Sequence, residues 1–444
     1  ARIRDFGPQH LANTTWAFAT LDHAAPALFD AVAAAAVELL RGERGVAEKY
    51  RGNNESFAPQ TLSNLVWAFA TVGHSAPALF DAVAAAFVEQ LGRSNQQHIS
   101  MTVWAFATAG HAAPTLFMAV ARMAAAKLSD FQALANAAWA FAVADENHPH
   151  FIAALTEKLS HPSMEVHDHG LVQLQQFSLW CERELRLPEA QLLPPALRAR
   201  CRDALRAVAS GRNEQAAKPV ARLQQSVGRA LGRLRLSTAP EHALAEGYSV
   251  DFAFVDEKIA IEVDGPWHYA LSGDGAGRRL VGRTLIKQRQ LAALGWRLLV
   301  VPFYEWEKVS RGRGAETNHL DGDCGSQCDY LRERLEWLRA GAAAPPPLKP
   351  SVSLNSEPTL PLPAKREEIR ELNPPKKGAC FPFLLKGAVG CSRGDLCAFR
   401  HLTPEDDAAR ALRVGHGRGE IMPSALSNAI THAPKELMLR FFAA

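Results

Sequence analysis

The chain has 444 residues, 48% of them apolar, and a formal net charge of +3. That much apolar material supports two to four packed domains at roughly 100 to 200 residues each, and it excludes a disordered chain. A balance this close to zero excludes nucleic-acid recognition by bulk charge, so any such function must rest on local features. The seven cysteines are sparse and odd in number, and three crowd beside one histidine near the end. This suits a reducing compartment better than a disulfide framework. The sequence opens on Ala1 inside a repeat and reads as a fragment, so a targeting segment cannot be sought there.

Four segments align around Trp16, Trp67, Trp104 and Trp139, spaced 51, 37 and 35 residues apart, and a degenerate fifth places Phe177 another 38 on. Each reads as two helices. The first carries Leu, Trp and Phe at helical spacing, a Gly, His or Pro breaks it, and the second starts near a proline such as Pro26. About a quarter of residues 1–160 are alanine. Small side chains let helices approach closely, and a pair with one apolar face must stack on its neighbours, which predicts an α-solenoid over residues 1–180. The tryptophans are expected to be core knobs rather than RNA-stacking rings. Asn13, Asn64 and Asn136 recur three residues before a tryptophan, where an amide bridges repeats or faces a ligand. The stretch from Ser94 to Ala121 lacks Lys, Arg, Asp and Glu, but its polar interruptions make it a buried helix pair and not a membrane span.

Residues 181–218 read as a basic helical connector. Then the period changes. "YSVDFAFVDEKIAIEVDG" alternates around an Asp256-Glu257 turn, "GRTLIKQRQLAALG" is a helix closed by Gly295, and "WRLLVVPFYEW" is a buried strand, together a small α/β domain over residues 219–340. Residues 341–375 contain nine prolines and form an extended linker.

A hairpin turning at Asp256-Glu257 sets Asp251 opposite Glu262 and places Asp251, Glu262 and Asp264 on one face. Like charges set opposite each other on a sheet need a cation, a donor cluster or a raised pKa. Mg²⁺ is a natural solution, with His268 as acid or base and Lys287 or Arg289 holding a phosphodiester. A salt-bridged surface, with Glu262 paired to Arg283 or Lys287, is the alternative.

"EVDGPWHY" followed by "LGWRLLVVPFYEW" resembles the RAP domain of organellar RNA-binding proteins, over Tyr248 to Val309. The repeats resemble the helical pairs that accompany RAP domains in FAST-kinase-like and octotricopeptide-like proteins. RAP domains are in turn similar to the restriction-endonuclease-like fold. That resemblance puts Asp251 and Glu262 at the motif's first two positions and Asp264 where it has a lysine, so catalysis would need a substitute such as His268.

In the tail, ten residues separate Cys380 from Cys391, five separate Cys391 from Cys397, and three separate Cys397 from His401. Four such ligands fit a closed tetrahedral Zn²⁺ site, and the order resembles CCCH zinc fingers, here residues 376–403 followed by a tail over 404–444. Phe381, Phe383 and Phe399 interleave with Lys386, Arg393 and Arg400, a mixture suited to stacking and phosphate contact with single-stranded RNA. Cys324, Cys328 and His319 lack a fourth ligand.

The reading is a multidomain RNA-binding protein: an α-solenoid, a small α/β restriction-endonuclease-like domain and a zinc finger. The resemblance implies binding of a single-stranded transcript or rRNA in an organelle, with the mitochondrion expected first and the plastid as the alternative, and a role in processing, stability or translation. Two competing readings stay open, a metal-dependent endoribonuclease using the three carboxylates and a helical scaffold for proteins.

Overall fold

Proline in the first helical turn supplies a ready-made φ where its missing N–H costs nothing, and among the described residues six repeat helices begin this way. The computed structural model describes residues 3–23, 25–42, 57–123, 126–214, 219–270, 279–311 and 325–341. The chain divides into two units, Ala1–Ser353 and Leu354–Ala444. The linker beyond residue 341, the four expected zinc ligands and the finger's aromatic and basic residues lie outside the described residues.

The repeats form α1 (Pro8–Thr20), α2 (Pro26–Leu40), α3 (Pro59–Val72), α4 (Pro77–Gln90), α5 (Gln96–Thr108), α6 (Pro114–Met123), α7 (Phe131–Ala144) and α8 (Pro149–Ser160). Then come α9 (Asp168–Leu179), running into a π-helical turn at Trp180–Glu184, and α10 (Pro195–Glu214). First helices pack on first helices in the series α1, α3, α5, α7, α9, α10, while α2, α4, α6 and α8 form a second layer. The charge-free stretch is α5 and α6, and among the described residues no helix is long and apolar enough to cross a membrane.

Two devices recur at the junctions between repeats. A second-helix phenylalanine meets a first-helix phenylalanine of the next repeat edge to face: Phe29 with Phe69, Phe80 with Phe106 and Phe117 with Phe141, at 4.9, 5.0 and 5.0 Å. A loop histidine also reaches back to the preceding repeat. His74 Nε2 lies 2.8 Å from Asp30 Oδ1, and His111 Nε2 lies 2.8 Å from Asp81 Oδ1. The aligned segments carry this His–Asp recurrence in their sequence, an aspartate following the second-helix phenylalanine and a histidine in the next repeat's loop. At the next junction Met118 stands where the aspartate stood, and His148 turns to Glu146 instead.

The tryptophans are not uniform core knobs. Trp139 is 6% exposed, whereas Trp16, Trp67 and Trp104 are half-buried. The core position belongs to the phenylalanine two residues on, such as Phe69, Phe106 and Phe141, about 200° around the helix. The fifth repeat is also in a different register from the expected one. Trp139 Nε1 donates to Gln176 Oε1 at 2.6 Å, so Gln176 takes the tryptophan's place and Phe177 lies buried beside it.

After α11 (Pro219–Arg233) the chain forms β1 (Ala239–Ala243), β2 (Ser249–Phe254), β3 (Ile259–Asp264), α12 (Gly282–Ala293), β4 (Arg297–Pro302), α13 (Phe303–Arg311) and α14 (Gly325–Arg339). The sheet order is β1-β2-β3-β4, antiparallel except for β3 and β4, which are parallel and joined through α12. The expected strand through "WRLLVVPFYEW" therefore ends at Pro302, and Phe303 to Arg311 is helical. Period-two alternation sorts β3 onto two faces. Ile259, Ile261 and Val263 join Val227, Leu231, Trp306 and Leu331 of α11, α13 and α14, while Ala260 joins Val250, Leu291 and Tyr248 on the opposite face.

Candidate functional site

The hairpin turns where the alternation placed it. Ala253 pairs with Ala260 and Phe252 with Ile261, and this register carries Asp251 opposite Glu262. Asp251, Glu262 and Asp264 share the sheet face covered by α12, so α12 decides what meets them. The three carboxylates are engaged by different protein groups. Lys287 Nζ donates to Glu262 Oε2 at 2.7 Å, Gln288 Nε2 to Asp264 Oδ2 at 3.1 Å, and the Val263 N–H to Asp251 Oδ2 at 2.6 Å. His268, in a 3-10 turn just past β3, has Nδ1 3.1 Å from both Asp264 Oδ1 and Thr284 Oγ1. Of the two partners proposed for Glu262, Lys287 is the one found, while Arg283 donates to the Trp267 carbonyl.

These charges are buried. Glu262 is 4% exposed and Asp264 1%, so the expected surface of salt bridges is an interior cluster. Burial pushes the Asp251 carboxyl up to about 7, with the Glu262 charge adding to it and Lys287 opposing. Burial raises Asp264 to about 6 and raises Glu262 as well, Lys287 being the main counterweight in both. One ammonium and partial protonation thus do the neutralising that a cation would otherwise do. Glu262 Oε1 is buried without a hydrogen-bond partner. Among the described residues no group of three or more His, Cys, Asp or Glu is placed to hold a metal ion, so Mg²⁺ would compete with Lys287 and Gln288 for oxygens they already engage.

The opposite side of α12 carries contacts that sequence reasoning did not find. Arg289, expected as a phosphate ligand, donates to the Val143 carbonyl at 3.1 Å, to the Ala142 carbonyl, and to Glu184. It therefore engages the Val143 carbonyl and adds a second donor to the Ala142 carbonyl, which already accepts from the Asp145 N–H, at the end of α7 where the last carbonyls lack an i+4 partner. Gln290 Nε2 donates to the Gln176 carbonyl at 2.6 Å, Tyr248 Oη donates to Gln290 Oε1 at 2.7 Å, and Gln176 Nε2 donates to Tyr248 Oη at 2.9 Å. With Trp139 on Gln176, this closed polar chain joins the repeats to the sheet domain. Arg279 adds a bond to His111 Nδ1 at 3.1 Å. Burial and the Arg279 charge lower the His111 pKa, although Asp81 opposes them. No local pattern announces such pairs, because the partners lie 37 to 168 residues apart.

The repeats carry a second candidate surface. Half-buried Trp16 lies 6.4 Å from Trp67 and Trp104 lies 6.3 Å from Trp139, centroid to centroid, so the rings run along the first-helix layer. One turn earlier, Asn136 Oδ1 accepts from Gln132 and from Gln173 of the next repeat, both at 2.9 Å, so this asparagine bridges repeats. Cys328 is buried with its thiol 3.8 Å from the Ala230 carbonyl, while Cys324 and His319 lie outside the described residues.

Residues 261–320 match the RAP domain, so a RAP domain is present over β3, α12, β4 and α13. The chain is similar to a "RAP domain-containing protein, chloroplastic" of Oryza sativa subsp. japonica, 27% identical over 341 residues. The match covers 75% of this chain and 47% of that relative, so the chain spans about half the relative's length.

Proposed function

We propose that this protein binds single-stranded RNA in an organelle and acts in the processing, stability or translation of a transcript or rRNA. The observation that carries the reading is the RAP domain fastened to a stack of helical repeats whose first helices present a ladder of half-buried tryptophans and amides. Aromatic rings and amides at one repeat's spacing suit unstacked bases, which proteins recognise by stacking and edge hydrogen bonds. The relative's printed name favours the plastid over the mitochondrion expected from sequence.

A second reading, Mg²⁺-dependent endoribonuclease, has one observation in its favour: the partnerless buried Glu262 Oε1 next to Lys287, with His268 on Asp264. Binding is preferred because Lys287 and Gln288 already occupy carboxylate oxygens and no metal cluster forms among the described residues. The test incubates wild type and Asp251→Ala/Glu262→Ala with organellar RNA and Mg²⁺, recording retention against salt and strand scission. Salt-dependent retention without scission is the expected result. Scission by wild type that vanishes in the double variant would make the protein a nuclease, and no retention at all would make it a protein scaffold.

The tail adds a zinc module to the proposal. Cys380, Cys391, Cys397 and His401 hold one Zn²⁺ per chain, with Phe381, Phe383, Phe399, Lys386, Arg393 and Arg400 offering RNA contacts around it. Metal analysis of the full chain should find one zinc that Cys391→Ala abolishes. An undiminished zinc content in that variant would remove the assignment.

A further inference from the structure

Helix α11 separates its residues by chemistry. Val227, Ala230 and Leu231 are buried with Ile259, Ile261 and Val263 of the sheet. Ser226 Oγ accepts from Trp306 Nε1 at 3.2 Å, and a Cβ on Gly228 would meet the Phe252 ring at 3.2 Å. That side is closed. On the other side Arg222, Gln225, Arg229, Gly232 and Arg233 are exposed, and Arg235 is exposed just past the helix. Steps of three, four, three and one residues keep the five helical positions on one stripe. Arg222 to Arg233 spans about 16 Å of helix rise.

No Asp or Glu lies between residues 215 and 240. Helix α10 is also rich in arginine, but three of its arginines meet acidic side chains. Arg198 pairs with Glu189, Arg206 with Asp203 at 3.2 Å, and Arg200 lies 3.8 Å from Asp168. Among the described residues no acidic side chain pairs with Arg222, Arg229 or Arg235, whereas Arg198, Arg200 and Arg206 of α10 are paired.

We infer that the α11 stripe, chiefly Arg222 and Arg229 with Arg235, is a phosphate-binding track for the backbone of single-stranded RNA. The assignment rests on the RNA-binding reading above. RNA fits better than an acidic protein, because stable protein interfaces are centred on apolar or aromatic anchors and none of these six exposed positions carries one. A phosphodiester chain needs only cationic forks, and guanidinium matches phosphate with two parallel hydrogen bonds. Space around Gly232, where an added Cβ would meet nothing within 4 Å, leaves the strand room to lie close to the helix.

The test measures binding of a labelled oligouridine by the full chain at several salt concentrations. Arg222→Ala/Arg229→Ala should weaken binding about tenfold at low salt and lower the slope of log K against log salt by about 1.4, the value for two lost contacts on a single strand. Arg198→Ala/Arg206→Ala removes the same charge from α10 and should leave both quantities near wild type. Equal losses in the two variants would reduce the effect to the general field of the protein and overturn the track. Wild-type slope and affinity in Arg222→Ala/Arg229→Ala would overturn it too, while leaving RNA binding itself intact. If wild type fails to bind the oligonucleotide, both the track and the RNA-binding reading fall.

Discussion

Replacing Gly282 with alanine, a single added methyl, should cost about 3 kcal/mol or more of unfolding free energy, at or above the upper end for overpacking a dense interior. Gly282 begins α12, and an ideal Cβ there would lie 2.0 Å from the Ala107 carbonyl oxygen and 2.9 Å from a Val143 methyl. The first obstacle is backbone, which cannot rotate away. Relief requires α12 to back off from α5 and α7, and Ile286, Arg289 and Gln290 on the same helix would then lose the repeat core, the α7 carbonyls and the Gln176 carbonyl. The matched control is Gly232→Ala in α11, where the new methyl meets open space. Alanine is better than glycine in a helix interior by roughly 0.5 to 1 kcal/mol, so this control should be neutral or slightly stabilising. Urea unfolding of the two variants decides the point. A Gly282→Ala protein as stable as wild type would mean that the RAP domain is not seated on the repeats as described.

How much of this was legible depends on the range of the interaction. The recurring segments announced their helices, because proline, alanine and the WAFAT pattern act within one turn or one repeat. The hairpin was legible through parity, since only an odd slip would have separated Asp251 from Glu262. Spacing alone could not decide the depth of the tryptophans. A ring at helical spacing fits either a core or a rim, and only the neighbouring phenylalanines settle which side faces inward. Strand β1 was missed because "APEHA" lacks β-branched or aromatic residues and becomes a strand only as the edge partner of β2. Helix α13 hid in an aromatic run in which Trp306, three residues past Phe303, turns into the core with Val309 beside it. Arg289 illustrates the general limit. Its charge was plain in the sequence, but its partners belong to another part of the chain, so a residue suited to phosphate became a brace.

Lys287 presents the opposite case, a residue whose chemistry was read correctly but whose environment was not. It faces a glutamate that is 4% exposed, so Lys287→Met should leave an uncompensated buried charge and cost about 3 to 5 kcal/mol at pH 8. Methionine keeps most of the lysine's apolar stem, which confines the effect to the charge. Adding Glu262→Gln removes the orphaned charge, and Glu262→Gln/Lys287→Met should recover much of the loss. The pH dependence has a definite sign. A carboxyl raised in the folded state gives stability that is complete below its unfolded pKa and is lost as pH rises through its folded value. With Asp251 at about 7 and Asp264 at about 6, wild type should lose stability between pH 5 and pH 8. In Lys287→Met the counterweight to the raised Glu262 is gone, so its deficit should be deepest at pH 8 and shrink toward pH 5 as the carboxyls take up protons. Urea titrations of wild type, the single variant and the double variant at both pH values complete the cycle. A Lys287→Met protein that matches wild type at pH 8 would show that water or bound protons, and not the ammonium, hold the cluster together.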